Sequence, residues 1–209
     1  VNTGSANGSF GTGGARDYGI DQIVDLSKVG KEYIFVKGNG ENSYENVLVV
    51  VHEDNTEIFA NWDSKVTRNA GEYYIVEGDQ FINNNMYVNT SKDAFVYQGI
   101  GGTTSEANQG MFFVPPISED AQDDINNIAQ IDKIGDKNYE GSISIVFKKD
   151  ATLEINTGSD ESGTYTYTAY DSTSLFPNEV IGKPGYLTLS IADLVGDIQV
   201  KSNDELYVA

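Results

Sequence analysis

Cysteine is absent from the 209 residues, which excludes disulfides, thiolate metal sites and cysteine nucleophiles together. Histidine occurs once, so any Ser-His-Asp chemistry has a single candidate base, His52. That residue ends the apolar run Val47–Val51 and precedes Glu53-Asp54, a setting that predicts a solvent-facing turn rather than a catalytic imidazole. Neither a Gly-x-Ser-x-Gly elbow nor a His-Glu-x-x-His helix is present, and no catalytic residue is assigned. No stretch approaches the ~20 apolar residues of a membrane span. Val1–Gly14 is polar and glycine-rich, unlike a secretory leader. The chain therefore reads as a mature or internal part of a longer polypeptide with no membrane insertion of its own. Gly8–Arg16 lacks the Gly-Lys-Ser/Thr ending of a phosphate loop and reads as a turn-forming lead-in.

Positive charge is scarce as well. Thirteen basic residues face 32 acidic ones, for a formal net charge of −19. A field of this sign repels phosphate backbones and anionic lipid, so nucleic acid is excluded as a partner class. It suits a soluble exported protein, and it supplies hard oxygen ligands of the kind Ca²⁺ takes. Ca²⁺ is the one cofactor considered on these grounds. The best local ligands are Asn156 and Asp160, within Asn156–Gly163, and Asp54 in the turn Glu53-Asp54-Asn55. The bidentate glutamate that would complete an EF-hand loop is missing, position 167 being Tyr, so a polar hairpin loop competes with the metal reading. With 32 carboxylates, coincidental acid pairs are guaranteed, and glycoside hydrolysis ranks last among the functions considered.

What the chain does have is strand material. Tyr33–Lys37 (YIFVK), Val47–Val51 (VLVVV), Thr56–Ala60 (TEIFA), Tyr73–Val76 (YYIV) and Ala94–Tyr97 (AFVY) are short β-branched and aromatic runs. Gly38-Asn39-Gly40, Glu53-Asp54-Asn55, Gly78-Asp79 and Gly101-Gly102 punctuate them as turns. A spacing of about ten residues between strands suits a sandwich or barrel. One segment, Ser118–Ala129 (SEDAQDDINNIA), predicts a short helix or linker, with Ser118 as its cap and Glu119 and Asp120 at its positive end.

Beyond that segment the pattern repeats. Val47–Asn61 (VLVVVHEDNTEIFAN) and Ser142–Asn156 (SISIVFKKDATLEIN) share an apolar strand, a turn with Asp, then Thr and an alternating strand ending in Asn. Asp54 and Thr56 correspond to Asp150 and Thr152 at an offset of 96, and Ser91–Tyr97 parallels Ser202–Val208 at 111. Gly71–Ile75 and Gly185–Leu189 stand between these landmarks in the two copies. The reading is all-β: two tandem antiparallel β-sandwich (jelly-roll-like) modules from an internal repeat, at 1–117 and 118–209, with a short helical linker. The final run Leu206–Ala209 stops inside a strand pattern and is expected to be an edge.

For ligand contact, Trp62 is the leading candidate, because Asn61-Trp62-Asp63 falls in a turn where an indole could stack on a sugar face and Asn61 and Asp63 could reach hydroxyls. Tyr165, Tyr167 and Tyr170 offer a second aromatic surface, although alternating Tyr and Thr is ordinary strand material.

The first half resembles the N-terminal domain of IgGFc-binding proteins. The resemblance rests on Gly19–Val24, Gly30–Tyr33, Glu53–Ile58, Asn69–Tyr73, Ala94–Gly99 and Phe113–Ile117. The second half, through Gly185–Thr188, Asp193–Ile198 and Asp204–Ala209, is similar to the module that follows this domain in gliding-motility adhesins and type 9 secretion cargo of Bacteroidota. The resemblance implies a cell-surface or secreted location and attachment to a surface polysaccharide or another surface protein. A spacer role, a calcium-stabilised structural module and an immunoglobulin-type receptor fragment are the alternatives. It carries over no catalytic residue.

Overall fold

The computed structural model describes residues 2–8, 17–42, 45–100, 110–119, 121–161, 164–171 and 175–209, with the backbone alone described at 2–8, 17–22, 159–161 and 164–165. The chain divides into two compact units: Val1–Ile117 with Ile181–Lys183, and Ser118–Val180 with Pro184–Ala209.

The first unit contains β1 (Asn2–Gly8), β2 (Asp17–Gln22), β3 (Gly30–Val36), β4 (Asn46–Val51), β5 (Thr56–Ala60), β6 (Asp63–Arg68), β7 (Tyr73–Glu77), β8 (Asn85–Ile100) and β9 (Gly110–Phe113). The lead-in is thus partly a strand: β1 pairs antiparallel with β2, while 9–16 lie outside the described residues. The sheet runs β6-β5-β8-β4-β7, and β3 and β9 also pair with β8. In β4, Val47, Val49 and Val51 are buried at the two-residue period of a strand, which is why a valine run folds as a strand with one face inward. These valines meet Tyr33, Phe35, Ile58, Val76, Met86, Val88 and Val96 in one core.

The 16-residue β8 organises this unit. Its first half lies between β3 and β5, and its second half pairs with β4 and β9. Ahead of β4, the fully buried Glu45 accepts hydrogen bonds from the backbone amides of Gly38 (3.2 Å) and Gly40 (3.1 Å). The carboxylate thereby satisfies donors that the loop cannot pair within a ladder. Any side chain at Gly78 would meet the Glu45 carbonyl oxygen 2.3 Å from its Cβ, so only glycine fits beneath this loop.

The second unit contains β10 (Asp124–Ile128), β11 (Lys133–Ile134), β12 (Lys137–Asn138), β13 (Gly141–Lys148), β14 (Leu153–Glu161), β15 (Thr164–Ala169), β16 (Asn178–Glu179), β17 (Tyr186–Leu194), β18 (Asp197–Ser202) and β19 (Leu206–Val208). Two four-stranded sheets, β10-β18-β14-β15 and β16-β17-β13-β19, enclose a core of Ile143, Ile145, Phe147, Ile155, Leu189, Ile191, Leu194, Ile198, Val200 and Leu206.

The helix expected over Ser118–Ala129 does not form. Asp124–Ile128 is instead a strand against β18, with Ile125 opposite Val200, Ile128 opposite Ile198 and a bulge between them. Ser118 and the acidic residues after it suggested a helix start or a linker, but Ile125 and Ile128 both pack on the second core, and the bulge lets a strand turn both that way. Ser118 caps no helix: its N–H donates to the Tyr207 hydroxyl at 2.7 Å, and its carbonyl accepts from that hydroxyl at 3.2 Å.

The pairing scheme of the first unit recurs in the second. Val49 pairs with Tyr74 and Val96, and Ile145 pairs with Leu189 and Val208. Phe59 pairs with Asn89, and Ile155 with Val200. The strands that hold the repeated landmarks therefore keep the same neighbours, with the register slipped by one residue at β13: Thr188 and Tyr207, which match Tyr74 and Val96 at the sequence offsets, pair with Val146 and not with Ile145. One difference is structural: β8 crosses between its two pairings without interruption, whereas its counterpart is broken into β18 and β19 by Asn203-Asp204-Glu205.

Candidate functional site

The β5–β6 connection is a two-residue turn. Ala60 pairs with Asp63, and the residues between them, Asn61 (φ 49°) and Trp62 (φ 71°), both have left-handed backbone. Such a turn matches the twist of a hairpin, and Asn is a favoured occupant of its first position. Tryptophan is not: a bulky L-residue in this region costs roughly 1–2 kcal/mol. Trp62 nonetheless occupies it and is 58% exposed.

The turn is firmly held. Asn61 donates its backbone N–H to Tyr87 O (2.8 Å), accepts from Tyr87 N–H at its side-chain oxygen (3.1 Å) and donates its side-chain amide to Gln80 O (2.8 Å). The Trp62 indole packs against the buried Tyr87 ring, centroids 5.4 Å apart and tilted by 46°. The Tyr87 hydroxyl donates to Glu32, whose Oε1 also accepts from Lys183 Nζ at 2.6 Å. Lys183 comes from the three-residue segment that belongs with the first unit, and its ammonium stands 5.9 Å from the Tyr87 ring centroid. In that segment a Cβ at Gly182 would lie 2.7 Å from Tyr87 side-chain carbons, so glycine alone permits this approach.

The electrostatics follow from these contacts. Burial opposes ionisation of Glu32, but the hydrogen bonds from Lys183 and Tyr87 and the Lys183 charge outweigh it and hold the carboxyl below its ordinary range. Burial, then the hydrogen bond and charge of Glu32, push the Tyr87 hydroxyl well up, so it acts as a donor. Asp63, the third residue of the sequence candidate, has its side chain 82% exposed and 3.9 Å from Lys65 Nζ. Lys65 is itself 18% exposed and donates to Gln80 Oε1 at 2.6 Å. Of the three candidates, Trp62 and Asp63 face solvent, while Asn61 spends its amide inside the fold.

The metal candidates lie apart in the chain. Asp54 is in the first unit, where its Oδ1 accepts from Ala70 N–H at 3.0 Å. Asn156 is in the second, its side-chain amide donating to Glu154 Oε1 at 2.9 Å. The side chain of Asp160 lies outside the described residues, although its backbone pairs with Tyr165. Among the described residues no group of three or more His, Asp or Glu side chains could hold a metal ion.

His52 is less exposed than its place beside a turn suggested. Its side chain is 29% exposed, its ring stands edge-on to Phe95 at 5.9 Å, and its Nδ1 is buried without a hydrogen-bond partner. Of the aromatic run, Tyr167 is 38% exposed, Tyr170 packs on the second core, and the Tyr165 side chain lies outside the described residues. Sequence reasoning missed Glu32, Tyr87 and Lys183, which only long-range pairing brings together. It also missed Glu205, 5% exposed, which accepts from the Tyr186 hydroxyl at 2.5 Å and faces Lys148 Nζ at 3.2 Å.

The class is that of an almost wholly β protein that carries an exposed aromatic residue at a hairpin turn. A family model described as IgGFc binding protein matches residues 1–203, and the chain belongs to that family. The match runs through both units, including the half in which the residues alone pointed to a separate module. The family is a protein-binding domain found in secreted or surface proteins. Comparison with curated proteins gives no match, and neither does comparison with solved structures. No helix among the described residues is long and apolar enough to cross a membrane.

Proposed function

We propose that the chain is a segment of a cell-surface adhesin that attaches through the β5–β6 turn, with Trp62 as its anchor and Asp63 beside it. The observation that carries this reading is a large aromatic side chain held 58% exposed on a backbone that tryptophan disfavours. Interface hot spots are enriched in tryptophan, and an anchor fixed before contact loses little freedom on binding. Protein recognition by the family favours a protein partner over a polysaccharide. The resemblance of Gly185–Thr188 and Asp193–Ile198 to modules of Bacteroidota adhesins favours a type 9 secretion setting in a gliding cell.

The test is capture on arrays of extracellular proteins and of surface polysaccharides, run with the full chain and with Trp62→Ala. Wild-type capture that falls at least tenfold in the variant supports the reading. Equal capture by both proteins removes the turn as the contact.

A further inference from the structure

Given that the β5–β6 turn is the contact, its chemistry narrows what it takes. A site for sugar draws on several hydrogen-bonding side chains beside the aromatic plane, and of the two candidates here the Asn61 side chain is already bonded to Gln80 O and to Tyr87 N–H, which leaves Asp63 alone. The exposed charges on the turn and on the segment tied to it are acidic. Asp63 adjoins it with its side chain 82% exposed. Glu77 and Asp79 are exposed on the segment that leads into Gln80, the residue to which Asn61 and Lys65 are tied. The nearby cations are held within the fold: Lys65 donates to Gln80 Oε1 at 2.6 Å and stands 3.9 Å from Asp63, a long, solvent-exposed pairing that an incoming cation can replace, and Lys183 is bonded to Glu32.

An exposed indole next in sequence to an exposed carboxylate is suited to a cation. A guanidinium stacked on tryptophan gains from the ring quadrupole, and an adjacent carboxylate supplies the counter-charge. We propose that the turn recognises a cationic side chain, arginine before lysine, presented by a basic segment of a protein partner, with Trp62 as the stacking surface and Asp63 as the counter-ion. The net charge of −19 adds a long-range field that speeds the approach of such a partner.

Trp62 is the sole tryptophan of the chain, so intrinsic fluorescence reports on this turn alone. The full chain is titrated with a labelled peptide of alternating Arg, Gly and Ser, with its Lys and Glu counterparts, and with a neutral oligosaccharide. Saturable quenching by the arginine peptide, weaker quenching by the lysine peptide and none by the glutamate peptide or the sugar are expected.

Because any basic peptide is drawn to an acidic protein, the deciding comparison is anisotropy with Trp62→Ala, which leaves the charge unchanged. Affinity for the arginine peptide should fall at least tenfold in that variant. In Asp63→Asn it should fall about threefold to tenfold, with a shallower dependence on salt. Both variants should melt like the wild type, since the two side chains are largely solvent-exposed. Equal peptide binding by wild type and Trp62→Ala, or saturation by the sugar alone, overturns the proposal. If the arginine peptide fails while Trp62→Ala still abolishes capture of a protein partner, the contact role of the turn stands and the cationic specificity falls. If capture survives Trp62→Ala, both fall.

Discussion

The two units keep one pairing scheme and differ in how the chain passes from one pairing to the next. In the first, the crossing at Ser91–Asp93 is continuous strand, and the Ser91 hydroxyl accepts from Glu57 N–H at 2.9 Å. In the second, the chain breaks at Asn203-Asp204-Glu205, and the Asn203 side chain accepts from Thr152 N–H at 2.8 Å. Where the ladder is interrupted, side chains take over: the buried Glu205 ties Tyr186 and Lys148 together next to the break. A pairing scheme thus survives loss of backbone continuity when a buried, fully partnered polar cluster replaces it.

The hairpin turns differ as well. β14 and β15 continue as a ribbon past the part of β14 that pairs with β18, whereas β5 and β6 turn at once through Asn61-Trp62. The short turn sets Trp62 against the Tyr87 ring and ties Asn61 to Gln80 and Tyr87.

The largest effect that would break this comparison comes from the second unit. Glu205→Ala strips Tyr186 and Lys148 of their shared acceptor and should cost about 2–3 kcal/mol in urea denaturation, the scale of hydrogen bonds to a buried charged group. Asp93→Ala, beside Ala94, which holds the Glu205 place in the continuous strand, should cost less than about 1 kcal/mol, being half-buried there. Equal losses would mean that the two crossings are held alike.

Next comes Tyr207→Phe, which removes both hydrogen bonds to Ser118 and should cost about 1–2 kcal/mol. Burial, and more weakly the charge of Glu205, raise this hydroxyl to about 12 against the opposing pull of its bond to Ser118. A raised folded-state value gives stability that is complete below the ordinary tyrosine value of 10 and is lost as pH climbs toward 12. The variant should therefore lose part of the alkaline fall in stability seen for the wild type between those values.

A smaller, acid-side effect belongs to the first unit. Because Glu32 is held below its ordinary value of 4.5, its contribution is present above that pH and is lost as pH falls through the depressed folded value. Glu32→Gln should flatten the acid limb of the stability curve below pH 4.5, measured by thermal melts across the acid range.

Much of this architecture could be read from residues. The β-branched run Val47–Val51 is a strand, Asp54 and Asp150 lie in the turns that follow matching strands, and Ser91 and Ser202 fall in matching strands, because strand composition and turn chemistry are local properties. The full length of β8 was not legible: its middle, Asn89–Asp93, is polar because the strand crosses between pairings there, and only Ala94–Tyr97 had a strand composition. Ser118–Ala129 was read as a short helix or linker from its serine and acidic start, whereas the strand at Asp124–Ile128 is set by pairing with β18, far along the chain. At the site, the turn position of Trp62 was visible. The occupation of Asn61 was not, since its partners Gln80 and Tyr87 lie 19 and 26 residues away in sequence. The Glu32–Tyr87–Lys183 set needs a residue 151 positions from Glu32, beyond any local pattern.

The smallest expected change in stability bears most directly on function. Trp62→Gly relieves the left-handed backbone while giving up the packing on Tyr87, and these effects, each on the order of 1 kcal/mol, nearly cancel. Melting temperature and partner capture measured together on Trp62→Gly and wild type should show a melt within about 3 °C of wild type and capture reduced at least tenfold. Undiminished capture at the same melting temperature would contradict the assignment of Trp62 as the anchor.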